Sequence, residues 1–444
     1  MAASPSTRKD KRRVAITGLG LLTPLGNDVS STWSALLALR SGIGPIRSFD
    51  ARGFPTRIAA EVKDFDARER VGDRKLLKYA NRYHAFALAA AQEALEDAGI
   101  FPGSRTALQW GCVVGSGMLG VEFDELREFH QNFAPDGPLQ EELLARAEKG
   151  ANPLQICRSQ TSAGLSLLLK RFGIRGYASS VHTACASGGQ AIGTALKLIR
   201  RGVSDFVLAG GFESMVSPIG LSAFSLLNAL STDNDFPERA SRPFDRTRNG
   251  FVLGEGAGFL VLEEWRAAKR RGARIYAELA GNGDSLSAYR ITDSHPSGDG
   301  PIQAMRNALS DANARPEDVD YINAHGTSTL MNDQSECTAV RALFGPEVDR
   351  VHVSSTKSLM GHLIAAAGAV EAAICALSMH HGVVPVSANL REPDPSCKLK
   401  FVRDAPISLR VRASMSNSFG FGGSNSCLVL RSPEEVEAEK MRQN

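Results

Sequence analysis

The chain has 444 residues, with 51 Lys+Arg against 48 Asp+Glu, 43% hydrophobic and 7% aromatic residues. That apolar fraction excludes a disordered chain and suffices for a large core; the net charge of +3, scattered basic residues and few aromatic platforms argue against nucleic-acid binding. Seven cysteines (Cys112, Cys157, Cys185, Cys337, Cys375, Cys397, Cys427) without a CxxC pair argue against a disulfide framework or a structural zinc site, and for a reducing, cytoplasmic setting.

Residues 1–12 are rich in Ser, Lys and Arg with no apolar stretch behind them. They read as a disordered leader, with a short transit peptide as the alternative. No span reaches the roughly 20 apolar residues that cross a bilayer, and the most apolar stretch, 363–370, ends at Glu371. The first predicted strand is 13–17 (RVAIT), ending at Gly18-Leu19-Gly20. Helical periodicity follows over 29–39 and 76–98, closed by Gly99. Strands are predicted at 110–114, 178–183, 205–209 (ending at Gly210-Gly211) and 259–263, with a small-residue helix over 187–201. After a charged helix at 264–271 the pattern begins again. Strand 275–279 runs to Gly281-Asn282-Gly283, then helix 301–312, strands 321–324 and 351–354, the Ala-rich helix 361–379 and strand 426–430. Alternating strands and helices mean an α/β fold with mostly parallel pairing, and the repeated order suggests two halves, 13–270 and 271–432, with a tail at 433–444.

Gly115-Ser116-Gly117-Met118-Leu119-Gly120 fits GxGxxG, the basis of an alternative reading as a nicotinamide-dependent oxidoreductase. The acidic strand end that a dinucleotide site needs some 20 residues on is missing, so the glycines read as strand-end turns. Cys185 differs from the other cysteines, which read as buried and structural. It sits where a strand meets a helix among small residues (TACASGG). Helix-terminal N–H groups there would lower its pKa and hold an oxyanion. His325 (NAHGTST) and His362 (STKSLMGH) also lie at strand-end or helix-start positions, unlike the other histidines. As zinc ligands they would need further partners, and spacing supplies none, so no metal is assigned. The run 416–425 (SNSFGFGGSN) is either a tight hairpin or a mobile gate beside a ligand tunnel.

Together with VAITGLG, Gly210-Gly211-Phe212-Glu213, the motif SRPFD at 241–245 and GFVLGEG at 250–256, these residues resemble the condensing enzymes of the thiolase superfamily. Specifically, they resemble the elongating β-ketoacyl-acyl-carrier-protein synthases, over about 13–430. The resemblance implies a thiolase-like fold of duplicated αβαβα halves in five layers. It implies Cys185 as nucleophile, His325 and His362 as catalytic histidines, and Lys357 and Glu371 as their catalytic or ion-pair neighbours. Cys-His-His matches elongating synthases, whereas initiating synthases use Cys-His-Asn. The implied reaction is a decarboxylative condensation of an acyl group on Cys185 with a malonyl thioester. Substrates arrive on the phosphopantetheine arm of an acyl carrier protein, and no cofactor is needed.

The resemblance further implies an oxyanion hole from the N–H groups of Cys185 and Phe421. Phe421 would be the gate, freed by Gly420 and Gly422, with Gly423 beside them. Thr327, Thr329 and Phe224 would bind pantetheine, and Met118 would limit acyl depth. Asn323, Glu371, Ser416 and Asn417 match a structural Na+ or K+ site of some members. A homodimer is implied, with a heterodimer as the alternative, and neither nucleic acid nor membrane insertion. Departures from the common pattern are Arg158 and Gln160 within 152–164 (expected at the acyl pocket and dimer seam), His182, Asn228 and the run 287–290. They point toward a specialised polyketide or unusual-lipid synthase over ordinary fatty-acid elongation, and keep a non-catalytic, chain-length-determining partner subunit as the second reading. Arg74, Lys75, Lys78 and Arg82, predicted on one helix, are candidate carrier contacts.

Overall fold

The computed structural model describes residues 12–117, 123, 127, 153–290 and 295–436. Its first half contributes strands β1 (Val14–Leu22), β2 (Trp110–Ser116), β3 (Ala178–Val181), β4 (Phe206–Ser214) and β5 (Glu255–Glu264). The second contributes β6 (Ala277–Leu286), β7 (Tyr321–Asn323), β8 (His352–Ser354), β9 (Lys400–Phe401), β10 (Ala413–Phe419) and β11 (Ser424–Arg431). They form one hydrogen-bonded sheet of eleven strands in the order β9-β8-β7-β10-β11-β6-β1-β5-β4-β2-β3. Outward from β1, the pairings with β5, β4, β2 and β3 run antiparallel, antiparallel, parallel, parallel. Outward from β6, those with β11, β10, β7 and β8 repeat that sequence. The halves join edge to edge through Ala15 opposite Glu278 and Ile16 opposite Ala277. The fold is therefore a duplicated α/β unit.

Five layers follow from where the helices pack. Helix α1 (Arg82–Ala98) covers β1, β5 and β4, and α3 (Asp299–Ala312) covers β6 and β11. Between the halves lie α2 (Ser187–Arg200) and α5 (Ala367–His381), which touch each other and strands of both halves. Helix α4 (Leu330–Phe344) packs against α3. Alternation along β5 divides the cores: Leu260 and Leu262 face the central helices, Phe259 and Val261 the outer layer. Helix α5 is buried on every side from Ala367 to Ser378. The stretch Ile364–His381 is long and apolar enough to cross a membrane, but most of it is buried inside the protein, as a core helix demands.

The glycines read as strand ends lie inside longer strands: Gly18 and Gly20 in β1, Gly115 in β2, Gly210 and Gly211 in β4, Gly281 and Gly283 in β6. Close packing is the reason. A Cβ on Gly20 would stand 1.9 Å from the Ala90 carbonyl oxygen of α1, and one on Gly283 2.1 Å from the Ala304 carbonyl oxygen of α3. Gly18 and Gly281 meet Ala94 and Ala308, one turn along the same helices, so the two halves use the same small-on-small contact. Helix 76–98 also needs correction. Asp73 caps a separate short helix, Arg74–Leu77, and α1 starts only at Arg82, where Asn81 N–H donates to His84 Nδ1 at 3.1 Å. Arg74, Lys75, Lys78 and Arg82 therefore do not share one helix face. Arg82 is bound to Glu255 at 2.8 Å.

Gly20→Ala and Gly283→Ala are each expected to cost about 3 kcal/mol or prevent folding, because backbone must move to admit the Cβ. Gly53→Ala, with nothing within 4 Å of the new atom, should stay within about 0.5 kcal/mol. Denaturant midpoints decide, and equal midpoints for all three would refute the packing argument.

Candidate active site

Cys185 lies on the single turn Ala184–Ala186 between β3 and α2, and is buried. The loop is stitched shut: Thr183 N–H donates to Ser187 Oγ at 2.9 Å, and the Ser187 hydroxyl donates to the Ala184 carbonyl at 2.7 Å. Ala184 is held in the left-handed region at φ 49°. Gly420 approaches so closely that a Cβ there would stand 2.8 Å from the Thr183 carbonyl oxygen.

His325 follows β7. Its N–H and that of Gly326 donate to the Glu336 carboxylate at 2.9 and 2.8 Å. Thr327 N–H donates to Asp333 at 2.9 Å, and Phe244 N–H to the same carboxylate at 2.8 Å. Sequence reading missed these two buried acids of α4. Their spacing of three on a helix just after the histidine loop was the available signal. His362 is not on the Ala-rich helix, which begins at Ala367. It sits in extended chain after the short helix Lys357–Met360, its N–H donating to the Val252 carbonyl at 2.8 Å while its carbonyl accepts from Gly254 N–H at 2.9 Å. The GFVLGEG run thus straps this histidine in place.

These segments bring the three side chains together. His362 Nε2 lies 3.1 Å from Cys185 Sγ, and the two histidine rings stand edge to face with centroids 5.2 Å apart. The reactive atoms of all three lie within 4.8 Å of one another. Cys185 is therefore the third ligand type that sequence spacing did not supply, although the set is also what a nucleophile and its partners require. Ile364 N–H donates to His362 Nδ1 at 3.3 Å, so the neutral ring carries its proton on Nε2, aimed at the sulfur.

Burial dominates the electrostatics. It pushes both histidines well below their ordinary range, and the Lys357 charge pushes them further the same way, so both rings are neutral at pH 7. Burial also raises the Cys185 thiol to about 11, while Lys357 and the N–H groups of Phe421 and Cys185 pull it down. The lowered thiol expected from helix position is thus overturned: desolvation outweighs the N–H groups, and the resting group is a thiol. Lys357 and Glu371 form a buried ion pair, with burial raising Glu371 to about 7 against the pull of Lys357.

The predicted cation residues fit such an ion. Asn323 Oδ1, Glu371 Oε2, Ser416 Oγ and Asn417 Oδ1 are all buried without a hydrogen-bond partner among the described residues, and oxygen-only donors suit Na+ or K+. Ser416 and Asn417 lie in β10. The glycine-rich run is a hairpin, with Phe419 opposite Asn425 across Phe421–Gly423, and Gly422 turning at φ 81°.

A cavity of about 410 Å3 leads to Cys185, His325 and His362. Thr327, Thr329, Phe224, Gly420 and half-buried Phe421 line it, and the two threonine hydroxyls are 2.9 Å apart. Met118 lies outside the described residues, and among those described none from 153–164 lines this cavity. His182 turns its ring to the Ser116 carbonyl at 3.2 Å. Cys157 is exposed, unlike the other cysteines, so it is not the buried structural residue expected.

Residues 11–268 match the "Beta-ketoacyl synthase, N-terminal domain" family and 276–391 the "Beta-ketoacyl synthase, C-terminal domain". The chain is 42% identical to the 3-oxoacyl-[acyl-carrier-protein] synthase 2 of Coxiella burnetii, covering 95% of this chain and 99% of the relative. It is 39% identical to the Synechocystis protein of that name, covering 95% and 98%. A β-ketoacyl synthase from Burkholderia phymatum has a similar structure (TM-score 0.85, 34% identity, covering 95% of this chain and 99% of that one). So has a structure of a type II PKS acyl-carrier protein in complex with its ketosynthase bound to the hexaketide (TM-score 0.85, 30% identity, covering 95% and 100%).

Iodoacetamide alkylation of Cys185, followed by peptide mass, is expected to keep accelerating between about pH 8 and pH 10, as a raised thiol requires. A plateau at neutral pH would contradict the electrostatics above. Lys357→Met should slow the reaction at any fixed pH in that range by removing a charge that favours thiolate.

Proposed function

The chain belongs to the β-ketoacyl synthase family, and we propose that it condenses an acyl group held on Cys185 with a malonyl group delivered by an acyl carrier protein. The observation that carries this reading is the convergence of one thiol and two neutral histidines at the end of a single cavity.

The chemistry follows from the protonation states. In the first half-reaction Sγ attacks the acyl thioester, the carrier thiol leaves with the cysteine proton, and the tetrahedral oxygen is held by the N–H groups of Cys185 and Phe421. Gly420 lets this hairpin approach the nucleophile. In the second half-reaction a malonyl thioester occupies the cavity. A neutral histidine donates one hydrogen bond without offering a positive charge to the carboxylate, so His325 and His362 stabilise the enolate oxygen that appears as CO2 departs. The α-carbon then attacks the acyl carbonyl, Sγ leaves, and one proton restores the thiol. Thr327 and Thr329 would meet the amides of the pantetheine arm, and Phe224 and Phe421 its sides. Lys357 and Glu371 act as positioning residues. Asn323, Glu371, Ser416 and Asn417 would hold a monovalent cation, which would supply positive charge to their buried oxygens.

Strand β3 ends the sheet, its outer edge has no neighbour among the described residues, and Tyr177 beside it is exposed. That edge leads directly into the Cys185 loop, which supports a dimer formed there, with a second copy as partner and a related chain as the alternative. Seven free cysteines support a reducing, cytoplasmic setting.

Incubation with an acyl carrier substrate is expected to add the acyl mass to the Cys185 peptide, and Cys185→Ala to abolish the addition. His325→Ala should retain acylation while slowing CO2 release from the malonyl carrier by roughly 100- to 10,000-fold. Failure of Cys185 to take an acyl group would leave the non-catalytic partner subunit as the better reading.

A further inference from the structure

Beyond their two joining pairs β1 and β6 part, and each turns N–H groups toward its own outer helix. Leu19 N–H donates to Asp97 of α1 at 2.9 Å, and Asn282 N–H donates to Asp311 of α3 at 3.0 Å, so the two aspartates hold equivalent places in the two halves. The halves then differ. In the second, Arg200 at the end of α2 donates to both Asp311 oxygens at 2.8 and 2.7 Å and also to the Ala280 carbonyl, which closes the space between the two helices. His380 stands as far along α5 from Gly368 as Arg200 stands along α2 from Gly188. It makes no bond to Asp97. Among the described residues its ring has no hydrogen-bond partner, and it meets Tyr276 edge to face at 5.1 Å.

The space left open is a cavity of about 500 Å3, lined in part by Trp33, Glu93, Asp97, Tyr276, His380 and His381, and it shares no residue with the one that ends on Cys185. Its walls are aromatic, with Trp33 stacked on His381 at 5.4 Å. Its charge is negative. Arg274, half exposed, reaches Asp97 at 2.6 Å and lies over the Tyr276 ring at 4.9 Å. Glu93 has no such cation. Its oxygens accept the N–H groups of Leu21 at 2.8 Å and Val29 at 2.7 Å, and it forms no ion pair among the described residues. Burial pushes its carboxyl up to about 7 against those two bonds. The matching residue of α3, one turn before Asp311, is the neutral Asn307, which donates to the Asp284 carbonyl at 3.1 Å. The first half thus sets an uncompensated carboxylate in an open aromatic cavity, where the second half has an amide and a closed ion pair.

We propose that this cavity binds a small organic cation of guanidinium type, with its charge on Glu93 and its apolar body against the rings of Trp33, Tyr276 and His380. Arg200 shows the chemistry in the matching place, where a guanidinium satisfies a carboxylate and fills the gap. The aromatic walls favour a cation further. A metal ion does not fit, because among the described residues these acids and histidines do not bring three ligand atoms together as Cys185, His325 and His362 do. The inference stands whether or not the chain condenses acyl groups.

Calorimetric titration of the whole chain with butylguanidinium, and with butylurea as its uncharged counterpart of the same shape, tests this. Butylguanidinium is expected to bind one site with a Kd of about 1 mM or lower, and butylurea at least about tenfold more weakly. Glu93→Gln should bring butylguanidinium down to the affinity of butylurea. His380→Arg, which copies the second half, should abolish binding by filling the gap, and it decides the matter if Glu93→Gln fails to fold. Cys185→Ala should leave the affinity unchanged. Equal affinities for the two compounds would overturn the proposal, as would no saturable heat up to about 10 mM, or binding that survives in both Glu93→Gln and His380→Arg. Loss of binding in Cys185→Ala would place the compound in the other cavity and overturn it as well.

Discussion

Gly188 and Gly368 face each other's chains across the middle of the molecule. A Cβ on Gly188 would stand 2.8 Å from the Ala365 carbonyl oxygen, and one on Gly368 2.7 Å from Gly189 N. Helices α2 and α5 can therefore approach with almost no side chain between their N-terminal ends. Cys185 enters the first and His362 precedes the second, so this backbone contact is what brings sulfur and imidazole to 3.1 Å. Side chains at these two glycines would part the helices and, with them, the reactive groups.

The same close packing sets the chemistry by excluding water. Burial makes the thiol hard to ionise and the histidines hard to protonate, and it leaves Lys357 and Glu371 to compensate each other. Neutral histidines are the donors that an enolate oxygen needs and the ones that do not trap a carboxylate. The cost is a network of buried polar atoms that the protein satisfies incompletely around Asn323, Ser416 and Asn417, and an ion of oxygen-binding type fits that gap.

Duplication divides the work. The first half supplies Cys185 just after β3, and the second supplies His325 just after β7, His362 beyond the short helix Lys357–Met360 that follows β8, and the hairpin carrying Phe421. The strand patterns of the two halves match, and so do their outer contacts through Gly20 and Gly283. The repeated unit is thus a packing solution, while the residues that converge on the cavity differ between its copies.

The sequence by itself determined the α/β class, the repeat, and the residue types of the site, because strand periodicity and the local settings of Cys185, His325 and His362 are written in neighbouring residues. Through resemblance it also singled out Lys357 and Glu371, which the structure pairs, and named Asn323, Ser416 and Asn417, whose buried oxygens the structure leaves without partners among the described residues. Four things were decided only by tertiary structure. The glycines of β1 and β6 are contact points and not turns, since a helix distant in sequence lies over them. His362 lies outside its helix, because Val252 and Gly254 hold it in extended chain. Asp333 and Glu336 turn back from α4 to accept N–H bonds from the His325 loop, a contact that their spacing hints at and only the packing of α4 establishes. The Cys185 thiol is raised and not lowered, because desolvation depends on what surrounds a group in space, and no local motif encodes that.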